Sequence, residues 1–286
     1  EYIENVKKNV NTDIDNTSIS SDDDDDEKDD KELFTYFADC EAIVNNKDNQ
    51  HSLYLLGFCG DSLNLNEDYV KILNICEHNS ETHLINNFLN IITEGKNPTD
   101  KIKVYFHNLK YDYNLLEKSL NISNICKKDG NIYSVEIQFK KYKIELIDSF
   151  KLLPFALSKF NKNLDLPEKY NKKEAINYEY YTLDKNNKLC EIDDYKEGLN
   201  NKDKIIFDEV SIPYINDKNL FNATQYYKDY LKLDCLTLKS GMEKMNKIIS
   251  DITDNKLSVY DKLTISSLTN KYMEINGAFE GVIKTD

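Results

Sequence analysis

The sequence predicts an α/β domain in which helices flank a mixed central sheet. Strand-like segments first pair and then alternate with helical segments along the chain, an order typical of this fold class. The 20 Tyr and 12 Phe among the 286 residues can build a substantial core, in one large domain or two. No apolar run is long enough to cross a membrane and no signal peptide is recognisable, so neither membrane insertion nor secretion is predicted.

The individual elements follow from hydrophobic periodicity and from turn residues. Strands are predicted over residues 34–39, 52–59, 102–107, 131–140 and 142–148, the last two as a hairpin that turns at Lys140-Lys141. Helices are predicted around residues 80–93, 109–120, 154–161, 221–250 and 260–286. Residues 162–218 have little periodicity, so we expect a long, partly ordered excursion that lies over the functional site.

Residues 1 to 32 are predicted to form a disordered acidic leader, with a specific docking tail as the alternative. They contain thirteen acidic and four basic residues, which gives −9 of the total charge of −14. Such a run repels itself and cannot bury apolar surface. The acidity of the chain argues against a general nucleic-acid-binding surface, although a metal site that binds one strand end in a cleft tolerates it.

The cysteines do not indicate a disulfide framework. None of the six forms a C-x-x-C pair, so we interpret them as reduced thiols of an intracellular protein. A zinc site formed by Cys76, His78 and His83 is an alternative, but the sequence contains no second group of ligands at a usual spacing.

Two carboxylates lie in the first predicted strand. Asp39 and Glu41 are two residues apart in the apolar run 34–42, so they face the same side of the strand, and Cys40 points the other way. Buried acids without a partner are costly, so a metal ion or another partner is expected beside them.

Two further acids occur at helical spacing. Asp112 follows Asn108 by four residues and Asp234 follows Tyr230 by four, so each pair shares a helix face. Hard oxygen ligands at a strand end and on two helix faces are what a pair of Mg²⁺ or Mn²⁺ ions requires, and such a pair suits phosphodiester hydrolysis. The residues alone therefore predict a two-metal nuclease.

These motifs resemble the three exonuclease motifs of proofreading DNA polymerases. The matching patterns are Asp39-x-Glu41, Asn108-x3-Asp112 and Tyr230-x3-Asp234. The surrounding segments 106–112 and 147–154 are similar to those of the protein-primed branch of family B, found in phages, linear plasmids and some viruses or mobile elements. Segment 173–178 is similar to one that carries an auxiliary catalytic lysine, here Lys173. The resemblance covers roughly residues 33 to 280.

This resemblance implies a ribonuclease-H-like (DnaQ-like) exonuclease domain over residues 33–255. Residues 256–286 would begin the connection to a polymerase domain that is absent from the chain, and the start at Glu1 indicates an excerpt or a processed product. The implied activity is 3′→5′ proofreading hydrolysis of single-stranded or frayed DNA ends with two Mg²⁺ or Mn²⁺ ions. A terminal protein is a possible further partner. The implied location is intracellular, in the cytoplasm, a virion factory or a mitochondrion of the host.

The resemblance also assigns roles to individual residues. Asp39, Glu41 and Asp234 would hold the ion that activates water, and Asp39 and Asp112 the ion at the leaving 3′ oxygen. Tyr230 would orient the water and Lys173 would assist. The residues that would contact single-stranded DNA are His107, Asn108, Tyr111, Ser149 and Phe150.

Several of these assignments have a structural alternative. Asn108 could instead cap the helix that begins near Leu109, and Tyr230 and Phe150 could belong to the core. Lys173 could be a solvated lysine, since Lys169 and Lys172 lie close by. Two further alternatives concern the whole chain: a free-standing DnaQ-like nuclease acting on DNA or RNA, and a silent nuclease fold that binds DNA or braces a polymerase.

Overall fold

The computed structural model of the chain describes residues 31–45, 50–61, 63, 66, 68–170, 174–278 and 280. Residues 1–30, which hold most of the predicted leader, lie outside this part of the chain, as does Lys173. The described residues from Lys31 onward belong to one compact unit.

A seven-stranded sheet forms the centre of the fold. Its strands are β1 (Leu33–Asn45), β2 (Gln50–Gly60), β3 (Lys71–Asn74), β4 (Lys101–Phe106), β5 (Ile122–Lys128), β6 (Asn131–Phe139) and β7 (Tyr142–Asp148). They lie in the order β3-β2-β1-β4-β7-β6-β5. The pairs β1/β4 and β4/β7 are parallel and the other neighbours are antiparallel. The predicted α/β class with a mixed sheet is confirmed.

Helices cover both faces of this sheet. They are α1 (Glu81–Thr93), α2 (Leu109–Leu116), α3 (Phe160–Leu164), α4 (Ile192–Lys196), α5 (Asn201–Val210), α6 (Ala223–Ile252) and α7 (Ile265–Ile275). The buried side chains of α1 and α2 join one hydrophobic core, and those of α6 join the core on the opposite face. The side chains of β1 alternate between the two: Phe37 belongs to the α6 core, and Ala38 to the other.

Some element boundaries differ from the sequence prediction. The short edge strands β3 and β5 were not predicted, because β5 is largely exposed and β3 has only four residues, too few for a clear alternation. The helix predicted over 154–161 is a 3-10 turn at Leu157–Lys159 followed by α3. The helix starts late because the chain bends around Pro154, where the Phe155 amide donates to the Leu153 carbonyl at 2.8 Å. The Phe155 carbonyl accepts a hydrogen bond from His107 Nε2 at 3.0 Å.

The described part of the predicted excursion, residues 162–170 and 174–218, contains the end of α3 and the helices α4 and α5. A two-stranded ribbon of β8 (Cys190–Glu191) and β9 (Leu220–Phe221) closes it. Its aromatic side chains pack into the α6 core: the rings of Tyr195 and Phe207 are 5.0 Å apart, and both residues are fully buried. The sequence prediction did not identify these elements, because they are short and isolated aromatic residues anchor them to the core.

Residues after 255 also contribute to the α6 core. Val259 and Leu268 are buried there, and Lys103 Nζ of β4 donates to the carbonyl of Tyr260 at 2.6 Å. The predicted domain boundary at residue 255 therefore does not coincide with a break in packing, and the boundary stays a prediction. Among the helices that are described, none combines the length and the apolar character needed to span a membrane.

Candidate metal centre

Strand β1 carries two of the predicted ligands. Asp39 and Glu41 lie on the α6 side of the sheet with Phe37, whereas Cys40 is buried in the opposite core. The face predicted from their i,i+2 spacing is therefore the one observed. The register between β1 and β2 shifts between Glu41 and Ala42. Such bulges redirect side chains and often lie beside functional sites.

Helix α6 brings Asp234 to these two acids. Ligand oxygens of Asp39, Glu41 and Asp234 all lie within 4.8 Å of one another. The helix can approach the sheet closely because residue 57, opposite Asp39 on β2, is glycine. A Cβ on Gly57 would lie 2.8 Å from Leu231 Cγ of α6, so a larger residue would displace the helix.

Asp112 reaches the site from the opposite face of the sheet. It is buried, and its Oδ1 accepts a hydrogen bond from the Cys40 backbone at 3.0 Å. This contact lies between Asp39 and Glu41 in the chain. Asp112 is not within the three-residue cluster, but its pKa is raised, first by burial and then by the negative charge of Asp39. The four predicted acids are thus grouped around one segment of β1.

The start of α2, which carries Asp112, is capped by a residue that the sequence did not indicate. Asn108 precedes the helix with a left-handed φ of 69° and makes no side-chain cap, so the alternative in which its side chain caps the helix is wrong. Instead, Asp148 Oδ1 accepts from the backbone amides of Asn108 at 2.9 Å, Leu109 at 3.3 Å and Phe150 at 3.1 Å. One carboxylate at the end of β7 therefore caps both α2 and the 3-10 turn Ser149–Lys151.

The grouped acids disfavour each other's ionised forms. Burial raises the pKa of Asp39 to about 7, against a smaller opposing effect of a backbone hydrogen bond with Cys40. The pKa values of Glu41, Asp112 and Asp234 are raised well above the ordinary range, first by burial and then by the charge of Asp39. Such a group of carboxylates calls for a positive charge at its centre.

Tyrosine hydroxyls surround the acids. The Tyr227 hydroxyl donates to Glu41 Oε2 at 2.6 Å, and a hydrogen bond from Tyr230 favours the ionised form of Asp234. Burial raises the pKa of both tyrosines, so they remain O–H donors. Tyr178, which is half exposed, shares a hydrogen bond with Tyr230. Tyr230 therefore contacts Asp234, and its role in orienting the attacking water stays a prediction.

Sequence reasoning missed Tyr227 and Tyr178. A signal existed for Tyr227, because residues 227, 230 and 234 follow i, i+3, i+7 spacing and share one face of α6. No periodic signal marks Tyr178, which lies in an irregular segment.

The segment that contains Tyr178 is held against α6. The Ala175 amide donates to the Tyr226 hydroxyl at 3.0 Å, and the Asn177 amide donates to the Tyr195 hydroxyl at 3.1 Å. The charge of Glu174 acts on Asp234. Lys173 lies outside the described residues, but its neighbour in the chain is therefore close to the acids.

Two of the predicted strand-binding residues are on the surface. Tyr111 is 41% exposed, one residue before Asp112, and its hydroxyl lies 3.0 Å from Nδ1 of His51. Asn108 is also exposed. Both side chains can therefore be reached by a ligand next to the acids, and their roles as strand contacts stay predictions.

The other three predicted strand contacts form a network within the protein. His107 Nδ1 lies 2.9 Å from Ser149 Oγ, and its Nε2 is bonded to Phe155 as described above. The Ser149 hydroxyl, which is fully buried, also donates to the Phe106 carbonyl at 2.9 Å. Burial lowers the pKa of His107, and its ring packs 5.4 Å from that of the half-buried Phe150. A DNA contact by these residues stays a prediction.

The alternative zinc site does not gain support from the geometry. His78 has both ring nitrogens in hydrogen bonds, with the Asn74 carbonyl at 2.8 Å and Asn87 Nδ2 at 3.1 Å. Within the described residues, the group of candidate ligand atoms that meets at one point is Asp39, Glu41 and Asp234.

The acid cluster fits magnesium or manganese. Its three converging ligands are all carboxylates, which are the hard oxygen donors that these ions prefer, and no thiol or imidazole belongs to the group. The raised pKa values show that the protein alone does not compensate the negative charge. Asp39, Glu41 and Asp234 would hold one ion, and Asp112 is the nearest additional acid for a second.

The raised pKa of Asp39 leads to a pH-dependent stability of the metal-free protein. Because its folded pKa of about 7 lies above the ordinary value near 4, the folded state binds the extra proton. The stabilisation that this bound proton provides is therefore lost as the pH rises from the ordinary pKa to the folded pKa of about 7. We expect a lower Tm at pH 8 than at pH 5.5 in EDTA. Both Mg²⁺ and the substitution Asp39→Asn should reduce this difference in Tm. If the Tm of the Asp39→Asn protein depends on pH as strongly as that of the parent, the pH dependence does not come from Asp39.

Family comparison identifies the relatives of the chain. The model of the family described as DNA polymerase type B, organellar and viral, matches residues 96–277, more than half of the sequence. The chain belongs to this family of DNA polymerases. The matched residues include Asp112 and Asp234, whereas Asp39 and Glu41 precede them. The family membership that was predicted from the three motifs is confirmed.

Solved structures of one polymerase share the fold. Phi29 DNA polymerase complexed with primer-template DNA and incoming nucleotide matches with a TM-score of 0.50 and 17% identity, over 88% of this chain and 36% of that one. Phi29 DNA polymerase complexed with single-stranded DNA matches with a TM-score of 0.47 and 18% identity, over 85% and 35%. The chain thus spans about a third of the length of the polymerase that it matches. No curated protein matches the sequence.

Proposed function

We propose that the chain is the 3′→5′ exonuclease domain of a protein-primed type B DNA polymerase. The observation that carries the proposal is the meeting of Asp39, Glu41 and Asp234 within 4.8 Å, with Asp112 beside them. Family membership supports a role in DNA synthesis. The similarity to the fold of part of Phi29 DNA polymerase agrees with a ribonuclease-H-like exonuclease domain. The substrate would be the 3′ end of single-stranded or frayed DNA, and a terminal protein is a possible further partner.

The arrangement suggests a role for each residue in the reaction. Two bound Mg²⁺ or Mn²⁺ ions would supply an activated water and neutralise charge on the scissile phosphate and the leaving oxygen. Asp39, Glu41 and Asp234 would hold the first ion, and Asp39 and Asp112 the second. The Tyr230 hydroxyl, next to Asp234, can orient the attacking water. Lys173, one residue before Glu174, would place an ammonium group at the developing charge.

An exonuclease assay tests this proposal. The protein is incubated with 5′-labelled single-stranded DNA, and the length of the labelled strand is followed with Mg²⁺, with Mn²⁺ and with EDTA. The expected result is stepwise shortening from the 3′ end that depends on the ion. Faster cleavage of RNA than of DNA would favour the free-standing DnaQ-like nuclease, and DNA binding without turnover in Mg²⁺ would favour the silent DNA-binding domain.

Tyr111 provides a separate test of substrate binding. Its exposed ring lies one residue before Asp112, so an unpaired base can stack on it. Tyr111→Ala should weaken single-stranded DNA binding by about 1–3 kcal/mol, the usual value of base–aromatic stacking. Turnover at saturating DNA should change much less. Fluorescence anisotropy in Ca²⁺, which typically supports binding without hydrolysis, measures the affinity.

A second variant and a control complete this test. His107→Ala is also expected to weaken binding if the predicted contact is right, but its ring nitrogens are bonded within the protein. The Tm of His107→Ala is therefore measured together with its DNA affinity, so that a loss of binding caused by a destabilised fold is recognised. Tyr133→Ala, on β6, removes a partly exposed tyrosine outside the motifs and should bind like the parent. Equal affinities of all three variants and the parent would reject the strand-binding role of Tyr111 and His107.

A further inference from the structure

A tyrosine hydroxyl is bonded to one of the proposed metal ligands. Tyr227 donates to Oε2 of Glu41 at 2.6 Å, between residues that are 186 positions apart in the chain. Tyr227 is fully buried and Glu41 is 7% exposed. We infer that Tyr227 is a positioning residue that fixes the Glu41 carboxylate in the orientation that binds metal. The inference rests on the proposed function of this site.

Aromatic neighbours hold the Tyr227 ring in place. The Tyr181 ring is stacked on it at 4.0 Å, the Tyr54 ring at 6.0 Å and the Tyr230 ring at 6.2 Å. Tyr181 is itself fixed, because its hydroxyl lies 2.9 Å from that of Tyr195 and donates to the Ala223 carbonyl at 3.2 Å. The Tyr227 hydroxyl therefore has a defined position rather than a range of rotamers.

Glu41 needs such a fixed partner. A glutamate side chain has several rotatable bonds, and the entropy of ordering it opposes metal binding unless the protein has already restricted it. A carboxylate oxygen has two lone pairs, so the hydrogen bond from Tyr227 leaves the Glu41 carboxylate able to coordinate an ion. Groups that orient metal ligands in this way typically contribute 10- to 100-fold in metal affinity.

The position of Tyr227 on α6 gives this contact a second consequence. Tyr227 and Asp234 are seven residues apart and share a helix face. Helix α6 therefore supplies one ligand directly and orients another ligand, Glu41, that belongs to β1. A shift of the helix along the sheet would disturb both at once, so the hydrogen bond also defines the register in which α6 meets β1.

Mn²⁺ binding in the absence of DNA tests the inference. Tyr227→Phe keeps the stacked ring and removes the hydroxyl, and we expect Mn²⁺ affinity, measured by electron paramagnetic resonance, to fall about 10- to 100-fold. Tyr36→Phe is the matched control, because it removes a buried tyrosine hydroxyl that donates to the Ile92 carbonyl in the core on the opposite face of the sheet. It should bind Mn²⁺ like the parent. Unchanged Mn²⁺ affinity in a folded Tyr227→Phe protein would overturn the inference.

A double-mutant cycle tests whether the effect of Tyr227→Phe on Mn²⁺ affinity depends on Glu41. In a Glu41→Gln background, Tyr227→Phe should cause little further loss of Mn²⁺ affinity, because its partner is already changed. An equal loss in both backgrounds would overturn the positioning role. The two proposals fail separately: normal Mn²⁺ binding and a normal cycle in a protein without nuclease activity would overturn only the exonuclease function. Lack of Mn²⁺ binding by the parent protein would overturn both.

Discussion

Asp39→Ala and Asp234→Ala are expected to abolish nearly all exonuclease activity while the fold persists. Each substitution removes a carboxylate from the group whose oxygens lie within 4.8 Å. Metal stabilisation of a transition state is worth several kcal/mol, so the maximal rate should fall by about 10²- to 10⁴-fold. Single-turnover release of nucleoside monophosphates from single-stranded DNA in saturating Mg²⁺ measures the effect.

The fold should survive because the acids repel one another. Burial and like charge raise the pKa of Asp234. Removing this carboxylate therefore removes a source of repulsion from the metal-free protein, and the Tm in EDTA should not fall. Asp229→Ala is the control on the same helix, since that acid is bonded to Gln225 at 3.0 Å and lies off the site. It should retain the parental rate. Near-normal turnover by either Asp39→Ala or Asp234→Ala would show that the metal centre has been assigned to the wrong residues.

Lys173→Ala is expected to give the second-largest loss of activity. The chain contains no arginine, so a lysine is the available cation for the charge that develops on the phosphate. The segment that follows Lys173 is fixed beside the acids by the bond between Ala175 and Tyr226. We expect the maximal rate to fall by about tenfold to a thousandfold with DNA affinity nearly unchanged, the signature of an interaction made in the transition state.

Two neighbouring lysines are controls for this prediction. Lys169 is ion-paired with Asp68 at 2.8 Å on the surface, and Lys169→Ala should affect only salt-sensitive DNA binding. Lys172→Ala should behave in the same way. A rate defect in one of these controls, with Lys173→Ala normal, would mean that the motif is placed in the wrong register. Normal rates in all three would mean that the site depends on the acids and Tyr230 without an auxiliary lysine.

The sequence by itself determined those features that depend on one element at a time. Alternation in β1 placed Asp39 and Glu41 on one face and Cys40 on the other, because neighbouring side chains of a strand must point to opposite sides. Helical spacing likewise placed Tyr230 beside Asp234. The order of strand-like and helical segments indicated the α/β class, and the three motifs indicated the polymerase family.

Only the tertiary structure decided which distant residues complete the site. Asp148 caps the helix of Asp112 from 40 residues away, and Tyr227 bonds to Glu41 from 186 residues away. Neither contact follows from periodicity, because periodicity gives the face of an element and not its partner. The position of α6 along the sheet depends on close packing at Gly57, and that packing is a property of the assembled core rather than of any single segment.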